Sequence, residues 1–547
     1  MITTAGRLMM AAGPQAAQRT PASDRLRFVL TMLLAVTGLP AWLSTVVAAE
    51  RSSSPNILFI YTDDQSSRTV SCYPDAFDWV RTPNIDRLAA QGVRFQHAYI
   101  GAWCMPSRAT LLTGRHQHGI ESMRMEGQYP GSAYDPQQCP FWPAVFRQHG
   151  YTTAQIGKWH TGVDPGFGRD WDFQIVWNRP RHPENSPNYY DRQLISRNGG
   201  PPKMTDGYST DNYTKWAVDY IHGEGREADK PWYLWLCYGA VHGPFTPADR
   251  HLSAYADIDV PVPKDVYPPR PGKPEYARNF HFWEPGPEGQ PVERKVRELG
   301  PVGMKDIPGR PLRDWVRQYH QGVLAIDEGV GRLLTALKES GQDENTLVVF
   351  TSDQGFAWGQ HGLKSKVAPY RAAVEAPLIV RLPGATNGGR VVEQPVSGVD
   401  LVPTFFAQAG IDLPWRMHGH DLSAVLTSPT ASWDHPAMLV HTGKRYGSAT
   451  ATIPGKDDPA LYHGPGIPWY VMLADQQFKY VRNLVPGEVE ELYDFQADPD
   501  ELVNLAQNPD YHTVVRRMRQ ATLEELKRTD ADLVRQLPPV RPLVSDN

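Results

Sequence analysis

The chain has 547 residues, of which 41% are hydrophobic and 21% are charged, and its formal net charge is −5. This composition is typical of a globular protein with one large domain and a smaller one, and it excludes a disordered chain. The acidic balance argues against general nucleic-acid binding, and only four cysteines in a chain of this length exclude a disulfide framework.

The N-terminus, residues 1–49, has the pattern of a secretory signal peptide. Basic residues precede an apolar segment at 28–43, and a run of small residues ends at Ala49. The apolar segment is short for a membrane span, and an uncleaved anchor is the alternative. Removing residues 1–49, whose four Arg and one Asp give a charge of +3, takes the chain from −5 to near −8. We expect an exported protein, periplasmic or secreted, without stable membrane insertion after signal cleavage.

The remaining chain alternates between apolar strands and helical segments. Strands are predicted at 56–61, 151–156, 232–238, 346–350 and 377–382, and helices at 82–92, 107–112, 141–150, 315–340 and 400–409. Such alternation is typical of an α/β fold with a large, mostly parallel central sheet flanked by helices. Residues 244–311 are rich in Pro and aromatic residues without clear period, which indicates a long surface excursion of the kind often tied to a binding site.

The C-terminal part follows a polar linker near residues 427–432. Neighbouring antiparallel strands are predicted at 469–473 and 478–481, followed by an amphipathic helix at 512–529. We therefore predict a catalytic domain at 50–430 and a smaller α+β subdomain with an antiparallel sheet at 431–547.

Cys104 lies where a helix is expected to begin. Pro106 favours the first helical turn, and Gly114 favours the position just past the helix end. Free N–H groups and the helix dipole at such an N-terminus favour an anion. Arg108, about one turn further along, can face the same anion. The alternative is a buried free cysteine with a packing role.

Polar or ionisable residues directly follow four of the predicted strands. They are Asp63 and Asp64, Lys158 and His160, His242, and Asp353 and Gln354. Ligands in parallel sheets bind beyond the carboxyl ends of the strands. We expect these side chains to converge on one site.

The acidic residues of this set are candidate metal ligands. Asp63, Asp64 and Asp353 offer carboxylate oxygens and Gln354 an amide oxygen, which suits Ca²⁺ or Mg²⁺ and not zinc. Turn and helix-cap roles are the alternative for the Asp63-Asp64 pair.

Several separate motifs together resemble the formylglycine-dependent sulfatase family of the alkaline-phosphatase-like superfamily. They occur in the family's order. They are Cys-x-Pro-Ser-Arg at 104–108 with Leu-Thr-Gly-Arg at 112–115, Gly-Lys-Trp-His at 157–160, His-Gly-Pro-Phe at 242–245, and Asp-Gln-Gly at 353–355. Together with Asp63-Asp64, Asp-Leu-Val-Pro-Thr at 400–404 and Glu-Leu-Tyr-Asp at 491–494, they extend the resemblance over roughly residues 55–506.

The resemblance implies a modified nucleophile and one metal ion. In the family the cysteine is oxidised to formylglycine, so Cys104 would be the substrate of a formylglycine-generating enzyme. The metal would be one Ca²⁺ per chain, ligated by Asp63, Asp64, Asp353, Gln354 and the modified Cys104. Many relatives carry Asn or His where Gln354 stands.

The resemblance also assigns the remaining site residues. Arg108 would help to neutralise the sulfate oxygens, and Lys158 would contact the sulfate or the aldehyde hydrate. His160 would act as base, and His242 would face the leaving-group oxygen. Lys366 lies eleven residues before Pro377, the spacing of the family's second sulfate-binding lysine; Lys364 is the alternative.

We therefore predict an exported sulfatase that hydrolyses a sulfate monoester on a carbohydrate, through a covalent sulfo-enzyme intermediate, to the alcohol and inorganic sulfate. Its substrate would be a sulfated small molecule or glycan. The alternatives are a phosphomonoester or phosphodiester hydrolase of the same superfamily and a non-catalytic protein that binds sulfated glycans. One disulfide among Cys72, Cys139 and Cys237 is also a candidate, with its pairing open.

Overall fold

The computed structural model of the chain describes residues 54–543 except 122, 127–130, 135–139, 295, 301–302, 308, 383 and 385–387. The predicted signal peptide at 1–49 and the disulfide candidate Cys139 lie outside the described residues. The other two candidates, Cys72 and Cys237, are free thiols.

The strands are numbered in chain order. They are β1 Asn56–Thr62, β2 Val93–Tyr99, β3 Met123–Glu126, β4 Gly131–Tyr134, β5 Thr152–Trp159, β6 Phe173–Asn178, β7 Gln193–Arg197, β8 Lys203–Thr205, β9 Trp232–Cys237, β10 Trp283–Pro285, β11 Pro291–Glu293, β12 Val296–Gly300, β13 Gly303–Ile307, β14 Thr346–Ser352, β15 Ala357–Trp358, β16 Lys364–Ser365, β17 Ala376–Arg381, β18 Arg390–Val392, β19 Val396–Ser397, β20 Ala437–His441, β21 Tyr462–His463, β22 Ile467–Pro468, β23 Tyr470–Ala474, β24 Phe478–Asn483 and β25 Glu491–Asp494.

The α-helices are numbered in the same way. They are α1 Pro83–Ala90, α2 Cys104–Thr113, α3 Pro143–Gln148, α4 Ser209–Ile221, α5 Glu275–Asn279, α6 Leu312–Glu339, α7 Arg371–Val374, α8 Leu401–Ala409, α9 Ser423–Thr427 and α10 His512–Arg528.

A large central sheet organises the described residues. Its strand order is β18-β2-β17-β14-β1-β9-β5-β6-β7-β8, and β19 also pairs with β2. The five strands from β14 to β6 run parallel, whereas β17 and β7 join them antiparallel. The prediction of a mostly parallel sheet is confirmed.

Both faces of the sheet are covered, which explains the unbroken apolar run of β1. Ile57 and Phe59 belong to a core with side chains of α2, α3 and α8. Leu58 and Ile60 face the opposite way into a core with α1, α4 and α6. Successive strand residues point to opposite faces, so a strand buried on both sides needs apolar residues throughout.

A second sheet lies in the C-terminal part, with the order β20-β23-β24-β25 and antiparallel pairing throughout. Helix α10 packs against it through a separate apolar cluster that includes Val515, Met518 and Leu526. The antiparallel pair and the terminal helix match the prediction. Contacts group the chain from Ser53 onward into one compact unit, and the boundary at 430 stays a prediction.

Some element boundaries differ from those predicted. Helix α3 is confined to Pro143–Gln148, and α6 begins at Leu312, three residues early. Strand β5 extends through Lys158 to Trp159 instead of ending at Ile156.

The excursion at 244–311 contains α5 and two short hairpins, β10–β11 and β12–β13. Within the described residues, no helix combines the length and apolar character needed to cross a bilayer.

Gly157 permits close packing of β5 against β9. Its φ is +106°, and a Cβ at this position would lie 2.1 Å from the carbonyl oxygen of Cys237. We expect Gly157→Ala to lower the free energy of unfolding by about 3 kcal/mol or more, since backbone strain and a backbone clash add. Urea unfolding measures the loss.

The matched control is Gly150→Ala. Gly150 has a φ of +88° with no atom within 4 Å of the built Cβ, so only the backbone strain of about 1–2 kcal/mol is expected. Equal losses in both variants would show that the contact with Cys237 is readily relieved.

Candidate active site

The polar residues after β14, β1, β9 and β5 lie at one edge of the sheet, because these strands are adjacent and parallel. Thr62 pairs with Ser352 at the ends of β1 and β14, which brings Asp63 next to Asp353. Gly157 of β5 pairs with Cys237 of β9, which brings Lys158 to the same edge. The structure thus brings the predicted side chains together.

Cys104 is the first residue of α2, which ends at Gly114 with a φ of 68°. The helix starts earlier than the predicted run at 107, and Pro106 lies in its first turn, where no N–H is needed. The Cys104 Sγ donates to Asp63 Oδ1 at 3.1 Å and lies 3.9 Å from Asp64 Oδ1. Burial, and then the charges of Asp353 and Asp63, raise the pKa of this thiol. The raised pKa favours the protonated thiol over an activated thiolate.

Asp63, Asp64, Asp353 and Cys104 form a compact buried group whose ligand atoms all lie within 4.8 Å of one another. Asp353 Oδ1 accepts hydrogen bonds from the backbone N–H groups of Asp64 at 2.8 Å and Gln354 at 3.0 Å. Among the described residues, no donor reaches the buried Asp353 Oδ2 or Gln354 Oε1. Unpaired buried oxygens beside three carboxylates fit a hard cation.

The carboxylates of this group are not equivalent. Burial would raise the pKa of Asp63, but the positive charges led by Lys158 outweigh it and hold the pKa well below its usual range. Lys158 Nζ forms an ion pair with Asp63 Oδ2. For Asp353, burial followed by the charges of Asp63 and Asp64 raises the pKa well above its usual value. A bound divalent cation would relieve this repulsion.

Arg108 is fully buried and points into the same site. Its Nη1 donates to the carbonyl oxygen of Lys158 at 3.1 Å, and its Cζ lies 5.0 Å from the centre of the Tyr61 ring. Nη2 lies 4.0 Å from Asp63 Oδ2 and has no hydrogen-bond acceptor within the described chain. An unpaired buried guanidinium N–H is suited to an anionic ligand.

The two histidines lie on the Lys158 side of the site. His242 Nδ1 donates to the carbonyl oxygen of Gly243 at 2.8 Å, so its Nε2 is the atom free to exchange a proton; Nε2 lies 3.8 Å from Asp64 Oδ2. His160 is buried beside Arg179. Burial, and then the charge of Arg179, lower the pKa of His160 well below its usual value, so the ring is neutral and one of its nitrogens can accept a proton.

The structure distinguishes the two candidate lysines. Lys366 Nζ donates to Asp64 Oδ1 at 2.6 Å and to Cys104 Sγ at 2.9 Å. Lys364 Nζ instead donates to Glu293 Oε1 at 2.6 Å and lies 3.6 Å above the Trp315 ring. Burial opposes the charge of Lys366, but Asp64 and Cys104 outweigh it and raise the pKa of its ammonium group.

This difference predicts opposite outcomes for two similar variants. We expect Lys366→Ala to lower kcat/KM for a sulfate ester by about 10²-fold, since a cation facing the transferred group is lost. Lys364→Ala, which removes a lysine two residues away in the sequence that is already paired with Glu293, should change kcat/KM less than about threefold. Steady-state kinetics on both purified variants decides. A larger loss in the Lys364 variant would reverse the assignment.

Sequence reasoning missed residues that support the site. The hydroxyl of Tyr319, on α6, donates to the carbonyl oxygen of Asp64 at 2.6 Å and accepts from the Ser66 N–H at 2.9 Å. Arg179 directly follows β6, which lies beside β5. The apolar run at 173–177 was a signal for β6 and hence for a further polar residue at this edge. Nothing local in the sequence marks Tyr319.

Comparison with known proteins supports the same interpretation. The Sulfatase family profile matches residues 55–411. An N-acetylglucosamine-6-O-sulfatase of Bacteroides thetaiotaomicron is 28% identical over 550 residues, with 92% of this chain and 91% of the relative covered. Human N-acetylglucosamine-6-sulfatase is 26% identical over 503 residues, with 88% and 85% covered.

Solved structures share the fold. A protein in complex with its substrate D-glucosamine-2-N,6-O-disulfate is similar with a TM-score of 0.71 at 26% identity, covering 88% of this chain and 99% of that one. A phosphonate monoester hydrolase of Agrobacterium radiobacter has a TM-score of 0.62 at 23% identity, covering 87% and 96%, a likeness of fold alone. Since the family profile covers well over half of the chain and the relatives align along nearly all of it, the chain belongs to the sulfatase family and is a sulfuric ester hydrolase.

Proposed function

We propose that this enzyme hydrolyses a sulfate monoester on a carbohydrate, with Cys104 oxidised to formylglycine as the nucleophile and one Ca²⁺ bound beside it. The observation that carries the proposal is the surrounding of Cys104. Its Sγ contacts Asp63 Oδ1 at 3.1 Å and Lys366 Nζ at 2.9 Å, inside a group of carboxylates that fits a cation.

A carbohydrate substrate is supported by the relatives. Two of them, from Bacteroides thetaiotaomicron and human, are N-acetylglucosamine 6-sulfatases by name, and the solved neighbour at 26% identity holds a sulfated glucosamine as its substrate. We therefore place sulfated hexosamines first among the candidate substrates.

The metal proposed is Ca²⁺, held by Asp63, Asp64, Asp353, Gln354 and the modified Cys104. All five would offer hard oxygen ligands once Cys104 carries the hydrated aldehyde, and Asp353 Oδ2 and Gln354 Oε1 lack a donor among the described residues. When bound, the ion would act as a Lewis acid that polarises the sulfate.

The side chains of the chain itself have separate roles in this proposal. Arg108, Lys158 and Lys366 bind and orient the sulfate oxygens and offset the charge that develops during transfer. The doubly protonated ring of His242 donates its Nε2 proton to the departing alcohol oxygen and returns to the neutral form with Nδ1–H still bonded to Gly243. His160 accepts the proton whose loss allows sulfate to leave. The low exposure of Arg108 and Lys158, each 0%, keeps water from competing for these cations.

Formylglycine would give residue 104 a nucleophile that an unmodified thiol cannot supply. The hydrated aldehyde supplies two hydroxyls on one carbon, one to attack sulfur and one to re-form the C=O and expel sulfate. A formylglycine-generating enzyme is the partner required. Export, to the periplasm or the medium, would bring the enzyme to glycans outside the cell, and N-terminal sequencing of exported protein beginning at Glu50 would support cleavage after residue 49.

One experiment tests the proposal. Active enzyme is digested with trypsin, and the peptide at 95–108 is analysed by mass spectrometry for an aldehyde in place of the Cys104 thiol. The same preparation is assayed for sulfate release from a panel of sulfated sugars and compared, by kcat/KM, on an aryl sulfate and the matching aryl phosphate. Active enzyme with an unmodified thiol throughout would refute the nucleophile, and a clear phosphate preference would favour the phosphoester alternative.

A further inference from the structure

A continuous series of contacting planar side chains connects the two histidines assigned to proton transfer. Arg179 Nη1 lies 3.4 Å from Nδ1 and 3.3 Å from Nε2 of His160. Arg179 Cζ also lies 4.6 Å from the centre of the Tyr189 ring. The Tyr189 ring stacks on His242 with a centroid distance of 4.0 Å and an interplanar angle of 4°. The order of the series is His160, Arg179, Tyr189, His242.

The contact between Arg179 and His160 is made by one guanidinium nitrogen. Nη1 lies at nearly equal distances, 3.4 and 3.3 Å, from the two ring nitrogens, so it contacts the imidazole without selecting either of them. A guanidinium is planar and weakly hydrated, and it stacks readily on aromatic faces. Arg179 therefore contacts the rings of both His160 and Tyr189.

Arg179 and Tyr189, the two middle members of this series, contact the surrounding chain. Arg179 Nε donates to the carbonyl oxygen of Ser186 at 3.0 Å, and Trp177 packs edge-on against Tyr189 with a centroid distance of 4.9 Å. The hydroxyl of Tyr190 donates to the carbonyl oxygen of His242. Segment 177–190 thus contacts both the backbone and the ring of His242.

Within the described residues, the ring of His242 makes one hydrogen bond and one longer polar contact. Its Nδ1 donates to the carbonyl of the next residue, Gly243, at 2.8 Å, and its Nε2 lies 3.8 Å from Asp64 Oδ2. A single hydrogen bond to a neighbouring residue lets the ring pivot about it. The parallel face of Tyr189 removes that freedom. Proton transfer requires the donor atom to stay within about 0.5 Å and 10–20° of its productive position.

We propose that Tyr189 and Arg179 are positioning residues that hold the rings of His242 and His160 in their working orientations. This inference rests on the proposed function, in which His242 is the acid and His160 the base. Both residues lie in the region between β5 and β9, where no sequence motif marked a function.

Tyr189 and Arg179 should have different kinetic signatures. The leaving group of an aryl sulfate is a stabilised phenolate, which departs without protonation. The leaving group of a sugar sulfate is an alkoxide, which needs a proton from His242. Loss of the Tyr189 face should therefore slow sugar sulfates selectively. His160 acts after the alcohol has left, so loss of the Arg179 contact should lower kcat and KM together and leave kcat/KM unchanged on both substrates.

The test compares Tyr189→Leu with the rescue variant Tyr189→Phe, which keeps the ring. For Tyr189→Leu we expect kcat/KM to fall about 10²-fold on a sulfated sugar that the wild type hydrolyses and less than about tenfold on 4-nitrophenyl sulfate. Tyr189→Phe should retain the wild-type ratio of the two values. The ratio is taken within one preparation, so it does not depend on the fraction of enzyme that is folded or modified.

Two further variants complete the experiment. Arg179→Met, which keeps the side-chain length but removes the plane, should lower kcat and KM together. Tyr220→Leu removes another buried tyrosine, which packs on Phe173 and Trp232 away from both histidines, and it should keep the wild-type ratio.

The outcomes separate this inference from the proposed function. If the wild type is active with an aldehyde at 104 but Tyr189→Leu keeps the wild-type ratio, the positioning role is wrong and the proposed function stands. The same holds if Tyr220→Leu changes the ratio as much as Tyr189→Leu does. If the wild type releases no sulfate from either substrate, the proposed function itself fails.

Discussion

Cys104→Ser is expected to lower turnover by at least about 10⁴-fold, the size of loss that follows removal of an enzyme's nucleophile. The serine hydroxyl keeps the position between Asp63 and Lys366, so substrate still binds. One attack on sulfur remains available to it, but the product then has no second hydroxyl on the same carbon to expel sulfate. The variant should therefore turn over once and stop.

Two measurements check this result. Sulfate release in the steady state gives the loss in kcat, and mass spectrometry of the peptide at 95–108 should show one added sulfo group after incubation with substrate. Cys72→Ser is the matched control, since Cys72 is also a free thiol but hydrogen-bonds to Asp86 through its backbone; it should keep wild-type kcat. Multiple turnovers by Cys104→Ser at more than a tenth of the wild-type rate would rule out a role for the aldehyde.

Asp353→Asn should remove the metal while leaving the fold in place. An asparagine oxygen can still accept from the N–H groups of Asp64 and Gln354, as Asp353 Oδ1 does at 2.8 and 3.0 Å. The amide NH₂, however, replaces Asp353 Oδ2, which has no donor among the described residues, and presents hydrogens where a cation needs an oxygen. We expect the bound Ca²⁺ to be lost and kcat/KM to fall by about 10³-fold.

Elemental analysis and thermal unfolding give the readout. Wild-type enzyme treated with a chelator should lose activity and unfold at a lower temperature, and added Ca²⁺ should restore both, because a ligand that binds only the folded state stabilises it. Neither the chelator nor added Ca²⁺ should change the activity or the unfolding temperature of Asp353→Asn. Asp327→Asn is the control, since Asp327 is also buried but accepts hydrogen bonds from the backbone N–H groups of Asn84 and Ile85, away from the metal site. This variant should respond to the chelator and to added Ca²⁺ as the wild type does. If Mg²⁺ alone restores the chelated wild type, the metal is Mg²⁺, and if chelation has no effect, the metal proposal is wrong.

Much of the fold was predictable because its signals are local. The apolar run of β1 indicated a strand buried on both faces, and Pro106 with Gly114 marked the two ends of α2. The positions of strand ends were predicted less accurately. Lys158 was expected beyond its strand and lies within β5, since a polar side chain can belong to a strand when its neighbours bury it.

The sequence by itself determined the parallel sheet, the residues at its carboxyl edge and the position of Cys104 at a helix start, because each depends on neighbours a few residues away. Only the tertiary structure decided that Lys366 and not Lys364 contacts Cys104, that Tyr319 holds the backbone of Asp64, and that Arg179 and Tyr189 lie between the two histidines. These contacts join segments far apart in the chain, such as Asp64 and Tyr319. They depend on how whole elements pack, which neither side-chain period nor residue type encodes.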